Sequence, residues 1–79
     1  MAKQKKVFSF SVVYEADPEG GYIVFAPSLP GCHTQGDTLE EAEKNIKEAI
    51  SLCLQNLRRS RGRIPQSERV FQGRVEVFA

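Results

Sequence analysis

The chain has 79 residues, with 11 Lys+Arg against 10 Asp+Glu, a net charge of +1 and two cysteines, Cys32 and Cys53. That length allows one small domain over 1–79, and the near-neutral balance excludes a chain built around a strongly basic or acidic surface. No apolar run approaches the ~20 residues of a membrane helix. The basic start at Lys3, Lys5 and Lys6 leads into residues broken by Ser9 and Ser11, unlike a secretory leader, so a cytoplasmic setting with free thiols is expected.

Residues 7–15 read as a first strand, with Phe8, Phe10, Val12 and Tyr14 on one face at a period of two. The segment 16–21, with Pro18, Gly20 and Gly21, is a turn. Residues 22–26 form a second strand and close a hairpin. This strand is apolar on both faces: Tyr22, Val24 and Ala26 on one, Ile23 and Phe25 on the other. A strand of that kind needs cover on both sides.

Pro27 and Pro30 make 27–31 irregular. A short third strand over 32–35 follows, then a turn at Gly36 and Asp37. Thr38 and Glu41 have the spacing of a helix capping box. Leu39, Ala42, Ile46, Ala49, Ile50, Cys53, Leu54 and Leu57 recur at steps of three and four as one apolar stripe. Glu40 with Lys44, and Glu43 with Lys47, are i to i+4 pairs, each worth ~0.3 kcal/mol. Gly62 is the expected helix stop. After a loop over 64–67, residues 70–79 alternate again, with Phe71, Val75 and Val77 against Gln72, Arg74 and Glu76, and predict a last strand. The order β-β-β-α-β gives an α+β, two-layer fold with one covering helix. A right-handed crossover sets the last strand beside the first, in sheet order 3-2-1-4.

The chain offers little for catalysis. Most carboxylates lie on the polar helix face or in turns, and Glu15, Asp17 and Glu19 are explained by the hairpin. His33 is the lone histidine, and its neighbour Cys32 points to the opposite face of a strand, a poor chelate. Neither a nucleophile with its base nor a phosphate-binding glycine loop is present. No catalytic residue, metal or cofactor is expected. Arg58, Arg59, Arg61 and Arg63 cluster at the predicted helix end, matching its dipole and offering the one candidate contact for nucleic acid.

From Tyr22-Ile23-Val24-Phe25 through Leu29-Pro30-Gly31-Cys32 and Gly36-Asp37-Thr38 into Glu40-Glu41-Ala42, then Asn45 and Glu48-Ala49-Ile50, the chain closely resembles the signature of the HicB antitoxin family. The resemblance implies a partial ribonuclease H-like fold of the same β-β-β-α-β order. It also implies a HicA toxin partner, a small mRNA-cleaving ribonuclease with a double-stranded-RNA-binding-like fold, blocked by direct protein–protein contact. Many family members carry a further C-terminal DNA-binding domain. None is read in this sequence, so direct operator binding is not expected.

A domain this small buries only ~60% of its unfolded surface, and with no disulfide or metal the expected support is a partner. Ile23, Phe25, Pro27, Leu29, Pro30 and His33 are the candidate partner-binding residues. Whichever face of the second strand meets the helix, its other face looks outward. Self-association through the sheet, as a dimer or tetramer, is expected from that apolar face. The competing readings are an orphan nucleic-acid-binding module using the arginines and a degenerate nuclease.

Overall fold

A computed structural model describes residues 7–65 and 69–79. Lys3, Lys5 and Lys6, and Gln66 and Ser67 of the expected loop, lie outside the described residues. Three antiparallel strands, β1 (Val13–Ala16), β2 (Tyr22–Phe25) and β3 (His33–Gly36), lie in the order β1-β2-β3. One helix, α1 (Leu39–Arg59), packs across β3 and β2. The result is an α+β arrangement of two layers.

The hairpin registers Val13 on Phe25 and Tyr14 on Val24. Burial shows that Tyr22, Val24 and Ala26 face the helix, and that Ile23 and Phe25 face away. β1 is shorter than the expected 7–15. Its partner strand runs out at Phe25, where the next positions are Ala26, whose N–H donates to Cys32 O (3.0 Å), and Pro27, which has no N–H. The turn is held by Asp17: its backbone bonds Gly21 and Gly20, and its Oδ1 accepts from Glu19 N at 2.9 Å.

The core consists of Val24, Ala26, Leu29, Cys32, Ala42 and Ile46, with Phe10, Val12, Tyr22, Ala49, Ile50, Cys53 and Leu57 partly buried around it. Burying a side chain the size of Val24 or Ile46 contributes about 1.5–3 kcal/mol. Gly36 lets the layers meet: a Cβ there would lie 2.8 Å from Ala42 Cα. Leu39, expected in the buried stripe, is instead 46% exposed, because it precedes the first turn to touch the sheet.

Thr38 is the N-cap, its Oγ1 accepting from Glu41 N at 3.1 Å. Glu41 reaches back one residue further than a capping box requires, accepting from Asp37 N at 3.3 Å. Glu43 pairs with Lys47 at 3.9 Å in an exposed contact; Glu40 and Lys44 form no such pair. At the far end Ser60 is the C-cap, and Gly62 N donates to Leu57 O (2.7 Å) and Arg61 N to Arg58 O (3.3 Å). These are the two bonds of a Schellman motif. The left-handed residue is Arg61 (φ 57°), one position before the expected glycine.

Among the described residues the expected fourth strand does not appear. Residues 69–79 belong to no regular element, and Phe71, Val75 and Val77 are 84%, 90% and 82% exposed. Alternation makes a segment fit for a sheet, but a strand exists only where a neighbour supplies the other half of each backbone bond. The sheet described therefore has three strands, and among the described residues no strand pairs with the outer edge of β1.

Candidate functional site

The loop after β2 folds back on itself by three backbone bonds. Ala26 N donates to Cys32 O (3.0 Å), Leu29 N to Ala26 O (3.0 Å) and Cys32 N to Leu29 O (2.9 Å). Gly31 takes a left-handed φ of 82°, which closes the turn. Ala26, Leu29 and Cys32 then drop into the core. Three buried anchors leave Pro27, Pro30 and His33 exposed on a fixed frame. Prolines suit such a rim: they carry no N–H that needs a partner and their φ is preset.

Beside this loop, the outward side chains of β2 complete a shallow apolar depression of about 470 Å³, lined by Ile23, Phe25, Pro27, Leu29, Pro30 and His33 together with Ala26, Gly31 and Cys32. The candidate partner-binding residues thus come together in one place. Leu29 is the exception in kind: at 4% exposure it is the floor of the depression and not a contact. No Asp, Glu, Lys or Arg lines it, so its chemistry is apolar contact with a few backbone groups.

Cys32 and Cys53 are free thiols, and Cys53 neighbours Cys32 across the loop–helix junction. Burial, then the neighbouring Cys53, pushes the Cys32 thiol up to about 11. A thiol held neutral in this way is a packing group and not a nucleophile.

Arg58 and Arg59 occupy the last turn of α1, and Arg61 and Arg63 follow it, all exposed. No spacing or periodicity signals that this end adjoins the loop. In the structure Leu29 and Pro30 also line a smaller hollow of about 250 Å³ with Cys53, Asn56, Leu57 and Ser60. The helix end that carries the arginines therefore lies near Leu29 and Pro30, and none of the four arginines lines either hollow.

A polar notch of about 460 Å³ lies at the other end of the helix, lined by Asp17, Tyr22, Asp37, Glu41 and Asn45 among others. Its groups are engaged within the fold: Glu41 accepts from Asp37 N, and Asn45 Nδ2 donates to Gln35 O at 2.7 Å. Among the described residues no group of three or more His, Cys, Asp or Glu could hold a metal ion, and no helix is long and apolar enough to cross a membrane.

These features define a small two-layer α+β domain with an apolar depression on a rigid loop. Residues 10–76 match the family described as the HicB_like antitoxin of bacterial toxin-antitoxin system, and the chain belongs to that family. A UPF0150 protein of Synechocystis is 41% identical over 68 residues, covering 86% of each chain. A UPF0150 protein of Archaeoglobus fulgidus is 52% identical over 46 residues, 58% of this chain and 67% of its own. One of Helicobacter pylori is 53% identical over 47 residues, 60% of this chain and 64% of its own.

Proposed function

We propose that the chain neutralises a HicA-like, mRNA-cleaving toxin by direct contact, docking it through the depression formed by Ile23, Phe25, Pro27, Pro30 and His33 over the floor of Leu29. The observation that carries this reading is the depression itself: apolar, without a carboxylate or a Lys or Arg in its lining, and fixed by three buried anchors. A preorganised apolar patch binds a protein surface with little ordering cost, and it offers nothing to a phosphate chain. The role is binding and not catalysis, it uses no cofactor, and its setting is the cytoplasm. The family adds the partner's kind. The reading includes the partial ribonuclease H-like fold, with a fourth strand beside β1 in the order 3-2-1-4, and a homo-oligomer.

The test is calorimetry with the small protein encoded by the neighbouring reading frame. Wild type binds at 0.15 M salt and retains most of its affinity at 0.5 M. Ile23→Asp with His33→Glu, both at exposed positions, lowers affinity by about 30-fold or more, the loss of a hot spot. Binding that collapses with salt and depends on Arg58, Arg59, Arg61 and Arg63 overturns this reading in favour of nucleic acid. RNA cleavage by the pure protein that needs a divalent metal overturns it in favour of a nuclease.

A further inference from the structure

On the helix side of the sheet, away from the depression, lies a second feature with an apolar centre. A groove of about 490 Å³ runs between the segment leading into β1 (Phe8, Phe10, Val12) and the middle of α1 (Ile46, Ile50, Leu54), with Glu43, Lys47 and Ser51 of the helix also in its lining. It lies along β1, on whose outer side no strand is formed among the described residues. The opposite edge is less available: Asn45 of the helix already occupies the carbonyl of Gln35 in β3. The same chain carries a segment with the matching pattern and no seat of its own. Residues 70–79 alternate, and Phe71, Val75, Val77 and Phe78 stand 84%, 90%, 82% and 109% exposed.

We infer that the groove at the β1 edge receives residues 70–79 of a second copy of this chain, in a reciprocal strand exchange. The occupant follows from stoichiometry and geometry. Each copy has one open groove and one bare alternating segment, so two copies related by a twofold axis satisfy both grooves and both segments and leave neither free. Each incoming strand covers an open sheet edge, which is otherwise a template for uncontrolled pairing. It sets Phe71, Val75 and Val77 against Phe8, Phe10, Val12 and the helix, completing the order 3-2-1-4 with the fourth strand supplied in trans. The segment's own body gives it no cover, as its exposure shows. Self-association thus sits on the edge and helix side of the sheet and not on the Ile23/Phe25 face, which stays open. The inference does not rest on the toxin reading.

The experiment is sedimentation of the full chain, with far-UV circular dichroism to verify folding. One variant, Val75→Pro with Val77→Pro, removes two backbone donors from a segment that the body does not need for its core. A second, Leu54→Asp, blocks the groove. Wild type is expected to be a dimer at tens of micromolar, and each variant alone to dimerise about 100-fold more weakly. An equimolar mixture of the two is expected to recover a heterodimer, because the intact segment of one meets the intact groove of the other. A wild type that is monomeric throughout that range, its segment folded back on its own groove or left free, overturns the inference. So does a dimer that persists in the folded proline variant, and it overturns it even if Leu54→Asp fails to fold. Dimerisation lost in Ile23→Asp alone places the contact on the other face and overturns it as well.

Discussion

The first and second halves of α1 carry the same apolar period but meet different surroundings. In the first half Ala42 and Ile46 are 0% and 2% exposed, Gly36 brings β3 into backbone contact, and Asn45 and Glu41 tie the helix to the chain before it. In the second half Ile50, Cys53, Leu54 and Leu57 are half-buried and Leu52 is 60% exposed. A period shows which side chains share a stripe; what covers the stripe depends on where the sheet ends. The seated half holds the fold together. The open half borders two unfilled features, the groove at β1 and the hollow beside Leu29.

The largest test of that contrast is a pair of truncations. Ile46→Ala removes a fully enclosed side chain and is expected to cost about 3–4 kcal/mol, whereas Leu54→Ala at the open end is expected to cost about 1 kcal/mol in the monomer. Urea unfolding at a concentration below any self-association checks both, and equal losses would erase the distinction. Next is Gly36→Ala. Its new Cβ would sit 2.8 Å from Ala42 Cα, a backbone atom that cannot swing aside. The layers must separate, at a cost of about 2–3 kcal/mol. Gly73→Ala, with open space around it, serves as the neutral control.

The pH dependence probes the junction between the two halves. Cys32 is pushed up to about 11 by burial and then by Cys53, above the ~8.5 of a free thiol. The folded state therefore holds the neutral form. The stability this contributes is complete below the unfolded value and falls as pH rises from about 9 through about 11. The difference between wild type and Cys32→Ala, measured by thermal unfolding across pH 8 to 11, should shrink toward high pH. A constant difference would mean that the thiol is not shielded.

Thr38→Ala acts at the outermost turn of the seated half and should cost about 1 kcal/mol. Asp37→Ala should leave stability nearly unchanged, since it is the Asp37 backbone N–H, and not its carboxylate, that Glu41 binds. Reversal of the two would move the cap one residue earlier.

These contrasts separate what is written locally from what is not. The N-cap at Thr38, the Asp17–Gly21 turn and the two faces of β2 are local, set by spacing and by glycine and proline stereochemistry, and the sequence reading agrees with the structure on each. Which face of β2 meets the helix was open, because both are apolar, and the burial of Val24 and Ala26 (0% and 3% exposed) against Ile23 (37%) resolves it. The gathering of Ile23, Phe25, Pro27, Pro30 and His33 follows from a loop short enough to fold back on its own strand. The proximity of Leu29 and Pro30 to the helix end, and of Cys32 to Cys53, joins distant positions and has no periodic signature. The fourth strand is absent from the described sheet for a different reason. Alternation over 70–79 describes one half of a ladder, and the other half lies beyond what a pattern in one segment can specify.

The smallest expected effect is at the last residue of the open half's terminus. Arg61 holds φ 57°, a left-handed conformation that costs an ordinary L-residue about 1–2 kcal/mol. It persists because the bonds from Gly62 N to Leu57 O and from Arg61 N to Arg58 O terminate the helix and satisfy two carbonyls that would otherwise be unpaired. Arg61→Gly relieves the strain but also loosens the unfolded chain, which offsets about 0.5–1 kcal/mol of the gain. A net stabilisation of about 0.5 kcal/mol is expected, read as a rise of a few degrees in Tm. Gly62→Ala is the opposing probe. Its Cβ would meet Leu57 Cδ2 at 2.8 Å, the end of a flexible side chain that can shift, so its effect should be slight. If Arg61→Gly destabilises by more than Gly62→Ala, the terminus is held by the arginine side chain and not by its backbone.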